Sequence, residues 1–335
     1  MIGIAQRKLR MERPKPGQHA REIVKRLERN ADMGRRNWQV FEDFLEIAER
    51  NLWDQPMHVE HVAAGMPLPE SAEAIALVAG LERHYPGDEH WDNFAQAYAL
   101  LLDAAETAEA VGGSWDTLGE VFMEFGQPSR WYGQHFTTWD TAMLAQRLLN
   151  GNDEARIAEA LAGRMTEAAK RIQAKGGRDA ALLGDHAMMA VAMLGGDDDR
   201  ANSPEFRQFF HQHLLPAIAA EVEPIGVYDP TIGSGVMLLA YASMVPRWAN
   251  DWGMVRYYGQ DIDETCVRMA RINCMLHNLN GYALQIARAT WRGNQRRAGN
   301  DPDAILAAFE LVTTDPQTHT GEGSADLNRA QPALA

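Results

Sequence analysis

Val227-Tyr228-Asp229-Pro230-Thr231-Ile232-Gly233-Ser234-Gly235 decides the fold. It reads as a short buried strand, about Ile225 to Tyr228, that runs into a glycine-rich turn and then an apolar helix from about Val236 to Val245. Such a turn needs glycine where φ is positive or where the backbone must approach a ligand closely. The amides of the helix start then face whatever occupies the turn. Twenty-six residues after Gly233, a second strand, Val255 to Tyr258, ends in Gly259-Gln260-Asp261-Ile262-Asp263. In nucleoside-binding α/β domains, a carboxylate at the tip of the neighbouring parallel strand holds the ribose diol. The alternative is a helix-capping turn in another α/β domain, with Asp261 and Asp263 as solvated loop charges.

Around this centre the chain divides into two grammars. From Gln18 to about Asp54 the apolar pattern is helical, through Ile23, Leu27, Val40, Phe41, Phe44, Leu45, Ala48 and Leu52. Pro56 to Pro69, with three prolines and a glycine, predicts a break. Further helices are predicted from Ser71 (a plausible N-cap) to His84, from about His90 to Val111, and from Trp115 to Phe125. Their aromatic stripes read as core. Helices are also predicted through Leu149 and over 153–175, 179–194 and 203–221. From Glu223 strands and helices alternate. A helix over Glu264–Leu279, closed by Asn280-Gly281, precedes a third strand at Ala283–Ala287 and a fourth at Phe309–Thr313.

Composition bounds the function. The chain has 335 residues, enough for two structural units, and 46% of them are hydrophobic. No run of eighteen apolar residues predicts a membrane span. No hydrophobic segment follows the basic N-terminus, so no secretory signal is read and a cytoplasmic setting is expected. The two cysteines, Cys266 and Cys274, lie eight apart on one predicted helix, a spacing for small buried residues rather than a metal site or a disulfide. Asp197-Asp198-Asp199 reads as a solvated loop, and no metal site is predicted. Net charge is −14, which argues against a free-standing, non-specific nucleic-acid binder. Residues 1–36 nonetheless carry eleven Lys/Arg against four Asp/Glu. Contact with phosphate, contact with an acidic partner and a solvated basic helix start all remain open for this arm.

Asp-Pro-x-x-Gly-x-Gly departs from the dinucleotide fingerprint G-x-G-x-x-G. It resembles the first motif of S-adenosylmethionine (SAM)-dependent methyltransferases, most closely the adenine-N6 DNA methyltransferases, whose usual form is D-P-A-C-G-S-G. Gly259-Gln260-Asp261-Ile262-Asp263 is similar to their second motif. Gly133-Gln134-His135-Phe136-Thr137-Thr138 resembles G-Q-F/Y-F-T-P, which in that family packs over the methionine end of SAM. The preceding Asp116-Thr117-Leu118-Gly119-Glu120-Val121-Phe122 is similar to a D-x-L-G-E-x-Y/F run in phage and mobile-element relatives. Modification subunits of type I restriction systems, which carry a helical N-terminal domain, are also similar. The matched stretches run from about 116 to 318, with 153–221 as an insertion.

The resemblance implies an α/β fold: a truncated, Rossmann-like class I methyltransferase sheet of about four parallel strands, preceded by a helical domain. Residues 1–125 would be the helical domain, 126–222 the SAM-closing segment with inserted helices, 223–318 the SAM-binding core and 319–335 a disordered tail. SAM would be the cofactor. Its sulfonium is positive and favours oxygen atoms, with Asp229 as the candidate. Gly233 and Gly235 would let the backbone approach the amino-acid portion, Thr231 would also contact the cofactor, and Asp261 would accept from the ribose hydroxyls. Ile262 would lie against adenine, and Phe136 with Thr137 would close the other side.

In the family, a D/N/S-P-P-Y/F/W motif at the end of strand four accepts hydrogen bonds from the flipped adenine's amine and stacks on the base. Asp315-Pro316-Gln317-Thr318 stands in that place. Asp315 and Pro316 would supply both acceptors, whereas Gln317 replaces a proline and Thr318 the stacking aromatic. The third strand ends in Arg288-Ala289-Thr290, without the acidic residue that many relatives use. Seventeen residues follow Thr318, too few for strands five to seven or a target-recognition domain, so an uncovered sheet edge calls for the inserted helices or a partner. Methyl transfer to adenine N6 in DNA, with a partner subunit for target recognition, is the first expectation; a protein partner or a homo-oligomer is expected, DNA being reached through the partner. A catalytically inactive relative serving as a binding or assembly module, for instance in a phage or plasmid particle, is the second. Transfer to protein or RNA is a third.

Overall fold

The computed structural model describes residues 18–110, 113–125, 136–150, 154–194, 208–209, 214, 221–246, 249–250, 253–279 and 281–285. Helices α1 (Gln18–Asp32), α2 (Asn37–Ala63), α3 (Ala72–Glu82), α4 (Asp88–Ala110) and α5 (Thr117–Phe125) form an N-terminal bundle. Helices α6 (Trp139–Asn150), α7 (Glu154–Ala174) and α8 (Arg178–Leu194) follow. Then β1 (Ile225–Asp229), α9 (Val236–Ala242), β2 (Val255–Asp261), α10 (Glu264–Leu276) and β3 (Gly281–Gln285) alternate. The three strands form one parallel sheet in the order β1-β2-β3, so each connection must cross over, as α9 and α10 do.

The predicted aromatic stripes are core. Phe41, Phe44, Tyr85, Phe94 and Phe125 are all buried. Phe44 and Phe94 stack at 6.5 Å, and Tyr85 meets Phe94 edge-on at 4.9 Å. The Tyr85 hydroxyl donates to Asp43, which also pairs with Arg35 at 2.6 Å, so the polar tip of a buried ring is satisfied.

Helix α10 belongs to two cores. Cys266, Met269 and Ile272 pack with the bundle, whereas Val267 and Ala270 pack with the sheet, α7 and α9. An ion-pair cluster reinforces the first contact. Arg268 reaches Glu46 at 2.9 Å and Glu49 at 3.1 Å, and Arg271 reaches Glu49 at 2.8 Å. Both cysteines are free, Cys266 buried and Cys274 partly so; burial pushes both thiols up, Cys274 to about 12. Of the predicted insertion, α7 packs beside the approach to β1, where Arg164 donates to the carbonyls of Glu223 and Pro224 at 2.6 and 3.0 Å.

Local expectations needed correction in several places. The break predicted over Pro56–Pro69 starts later than expected: α2 continues through Pro56 to Ala63, and the non-helical stretch runs from there to Ser71. One lost hydrogen bond is tolerated because Asp54 anchors the turn beside it, pairing with Arg50 and accepting from Ser71 Oγ. Ser71 does cap α3, accepting the Ala74 amide at 3.1 Å. Helix α9 stops at Ala242, before the predicted Val245, where Met244 and Val245 bond to the carbonyls of Tyr241 and Ala242 in a tighter turn. Helix α10 ends at Leu276 rather than Leu279, because the chain turns at Asn278 in the left-handed conformation (φ 52°), ahead of the stop predicted at Asn280-Gly281. Gly281 is thereby free to open β3, two residues earlier than predicted, opposite Tyr257. The predicted helix over 203–221 lies almost wholly outside the described residues. So do the strand at 309–313, Asp197-Asp198-Asp199, Gly133-Gln134-His135 and Asp315-Pro316. Among the described residues no helix is long and apolar enough to cross a membrane.

Candidate functional site

The sheet places the tips of β1 and β2 side by side, with Asp229 opposite Gly259. At the end of β1 the Asp229 carboxylate accepts the Thr231 amide at 2.9 Å, which folds the chain back on itself. The Ile232 amide donates to the Gln260 carbonyl at 3.0 Å, pinning the turn to β2. The Gly233 amide donates to Asp261 Oδ2 at 3.1 Å. Asp261 Oδ1 accepts the Asp263 amide at 3.1 Å, and Asp263 in turn caps α10 through the Thr265 amide at 2.9 Å. Gly233 and Gly235 have φ of 54° and 90°, a region where a side chain is strained, and Gly235 is the N-cap of α9.

A Cβ on Gly259 would lie 2.0 Å from Ile232 Cδ1. Ile232 is thus buried in the place that a side chain on β2 would otherwise fill, and this seats the turn. Gly259→Ala is therefore expected to overpack the site and cost about 2 kcal/mol, read as a lower denaturation midpoint. An unchanged midpoint would show that the turn is not seated this way.

Asp261 has two oxygens and about four acceptor positions; two amides use two of them, which leaves acceptors for a vicinal diol. Burial raises the Asp229 carboxyl; the Thr231 amide opposes this, and the neighbouring Asp261 charge adds to it. A positively charged ligand would favour the ionised Asp229 carboxylate and offset the repulsion from Asp261. Ile262, beside Asp261, is 39% exposed and offers an apolar platform. Phe136 packs on Phe122 at 4.8 Å, and a Cβ on Gly233 would stand 3.5 Å from the Phe136 ring. The structure therefore brings Asp229, Thr231, Gly233, Gly235, Asp261, Ile262 and Phe136 to one end of the sheet. Thr137 follows Phe136 and is exposed. These residues fit a cationic nucleoside.

Three contributors carried no assignment in the sequence. Asp116, the residue before α5, accepts the Gly119 amide at 2.8 Å and the Asn273 side-chain amide at 2.8 Å, and its other oxygen accepts from Ser234 Oγ. The D-x-x-G spacing was a visible helix-cap signal. The partners Ser234 and Asn273 had none, being 118 and 157 residues away. Burial raises the Asp116 carboxyl, opposed by its bonds from Ser234, Gly119 and Asn273.

Residues 211–317 match the family model of N-6 DNA Methylase. The match covers about a third of the chain and spans β1, the glycine turn, the end of β2 and Asp315-Pro316. No curated protein and no solved structure matches the chain. The methylase match supports a DNA-methyltransferase-like function and a class I methyltransferase fold for this segment. The three parallel strands with α9 and α10 crossing between them accord with such a fold.

Proposed function

We propose that the chain binds SAM at the tips of β1 and β2 and transfers a methyl group to adenine N6 in DNA, with a partner subunit providing target recognition. The observation that carries the reading is the hydrogen bond from the Gly233 amide to Asp261, which joins the glycine turn to the candidate diol acceptor at one end of the sheet. Asp229, Thr231, Gly233 and Gly235 hold the methionine portion, Asp261 the ribose, and Ile262 with Phe136 and Thr137 the apolar surfaces. SAM supplies an electrophilic methyl group when bound. Asp315 and the Pro316 carbonyl accept hydrogen bonds from the target amine, which orients its lone pair for in-line attack.

Gln317 and Thr318, in place of a proline and the base-stacking aromatic, favour a second reading: a methyltransferase-fold module that binds SAM or a partner without catalysis. The aromatic stacking forgone is worth about 1–3 kcal/mol. Calorimetric titration with SAM and with its demethylated product tests the site. Heat with either supports it, and none with both removes it. Labelled methyl transfer to unmethylated DNA then separates enzyme from module, with Asp315→Ala expected to abolish the transfer. A rate untouched by that change would remove Asp315 from the reaction.

A further inference from the structure

We infer that Asp116 is a positioning residue for the cofactor site, acting through Ser234 and Asn273 to hold the glycine turn in its binding shape. This rests on the reading of that turn as the SAM site. Asp116 is 5% exposed, and Ser234 and Asn273 are fully buried. Ser234 lies between the two positive-φ glycines. Its hydroxyl donates to Asp116, and its carbonyl accepts from Asn273 Nδ2 at 2.8 Å. The same Asn273 nitrogen donates to Asp116, so its amide faces two acceptors and its orientation is unambiguous.

Directional bonds therefore hold both the side chain and the peptide of the residue that separates Gly233 from Gly235. The Gly233 amide aims at Asp261 from the preceding peptide. A rotation of Ser234 moves that donor. The third wall is α5: a Cβ on Gly119 would lie 2.1 Å from Asp116 Oδ2 and 2.8 Å from Ser234 Oγ, so only glycine lets the helix start sit against the cluster. An apolar filling of the same volume would join α5, α9 and α10 without the cost of burying a carboxylate. What it would lack is direction. The bundle-side residue Asp116 thus sets the geometry of the turn between β1 and α9.

The test is calorimetric titration of the full chain with SAM at 25 °C, with thermal melts in parallel, for wild type, Ser234→Ala, Asp116→Ala, Asp116→Asn and the double alanine variant. A folded fraction near unity leaves a dissociation constant unchanged whatever the global stability, so a loss of affinity reports the turn itself. Each single alanine is expected to weaken binding about tenfold, and the double variant also about tenfold, because both break one linkage. Asp116→Asn is expected within about threefold of wild type. Its carbonyl keeps the Gly119 and Asn273 bonds, and its amide donates to Ser234 Oγ. Should Asp116→Ala fail to fold, Ser234→Ala, which removes one hydroxyl, carries the test. Wild-type affinity in well-folded alanine variants overturns the inference, and so does a double variant about a hundredfold weaker, which would mark independent effects. Failure of the wild-type chain to bind SAM or its product overturns the proposed function and this inference together.

Discussion

Asp261→Ala is expected to weaken SAM binding about a hundredfold, the largest loss for any single side chain at the site. Two hydrogen bonds from ribose hydroxyls to a carboxylate are worth about 3 kcal/mol together at the lower end of their range, or about two decades in affinity. The structure adds a second cost. Asp261 Oδ2 is also the acceptor of the Gly233 amide, so its removal leaves that donor unpaired and takes away one tie of the glycine turn to β2, while the Ile232 bond to the Gln260 carbonyl stays. Asp261→Asn separates the two: its remaining carbonyl can keep one amide while the anionic acceptor is lost, so its affinity falls between wild type and alanine. Calorimetry with all three proteins checks this, and an alanine variant within threefold of wild type would exclude a diol-binding role for Asp261.

Acid is expected to destabilise the chain through His277. This histidine follows α10; its Nε2 lies 3.1 Å from the Trp115 carbonyl and 3.3 Å from the Trp115 amide. Burial drives its imidazole down from 6.5 to about 4, while the bond to Trp115 pulls weakly upward. A base with a depressed folded value contributes its stability fully above the unfolded value, near 6.5. That stability is lost as pH falls from there toward 4, because the unfolded chain takes the proton first. Since an edge of the residue reaches solvent, the loss is about 2–3 kcal/mol rather than the full linkage value. Asp116, Asp229, Glu42 and Glu120 have raised carboxyls and act in the opposite sense, being protonated more readily when folded. The effect is therefore read as a difference. Denaturant midpoints of wild type and His277→Gln, at pH 7 and pH 4.5, should diverge only at the lower pH. Parallel shifts of both proteins would discharge His277 from the acid response.

Much of the site was legible because its parts are local patterns. The turn from Asp229 to Gly235 and the acidic end of β2 announce themselves through glycine, an Asx turn and strand alternation. The parallel pairing of β1 with β2 follows once a crossover helix separates them. What stayed hidden depends on contacts across the chain. Ile232 needs the absent side chain of Gly259, and nothing in either segment names the other. Asp116 displays only its cap to Gly119, whereas its bonds with Ser234 and Asn273 arise from folding. The periodicity of α10 shows an apolar helix but not that Cys266, Met269 and Ile272 serve one core while Val267 and Ala270 serve another. Pro56 misled because a local rule was overridden by Asp54 and its partners, and the start of β3 moved because the chain already turns at Asn278.

That divided allegiance of α10 bears on biosynthesis. The bundle helices through Phe125 leave the ribosome about 140 residues ahead of α10, a delay on the order of ten to thirty seconds at ordinary translation rates. Throughout that wait the nascent bundle displays the greasy seam later sealed by Cys266, Met269 and Ile272. Apolar surface therefore stays uncovered on the emerging chain until its last wall arrives.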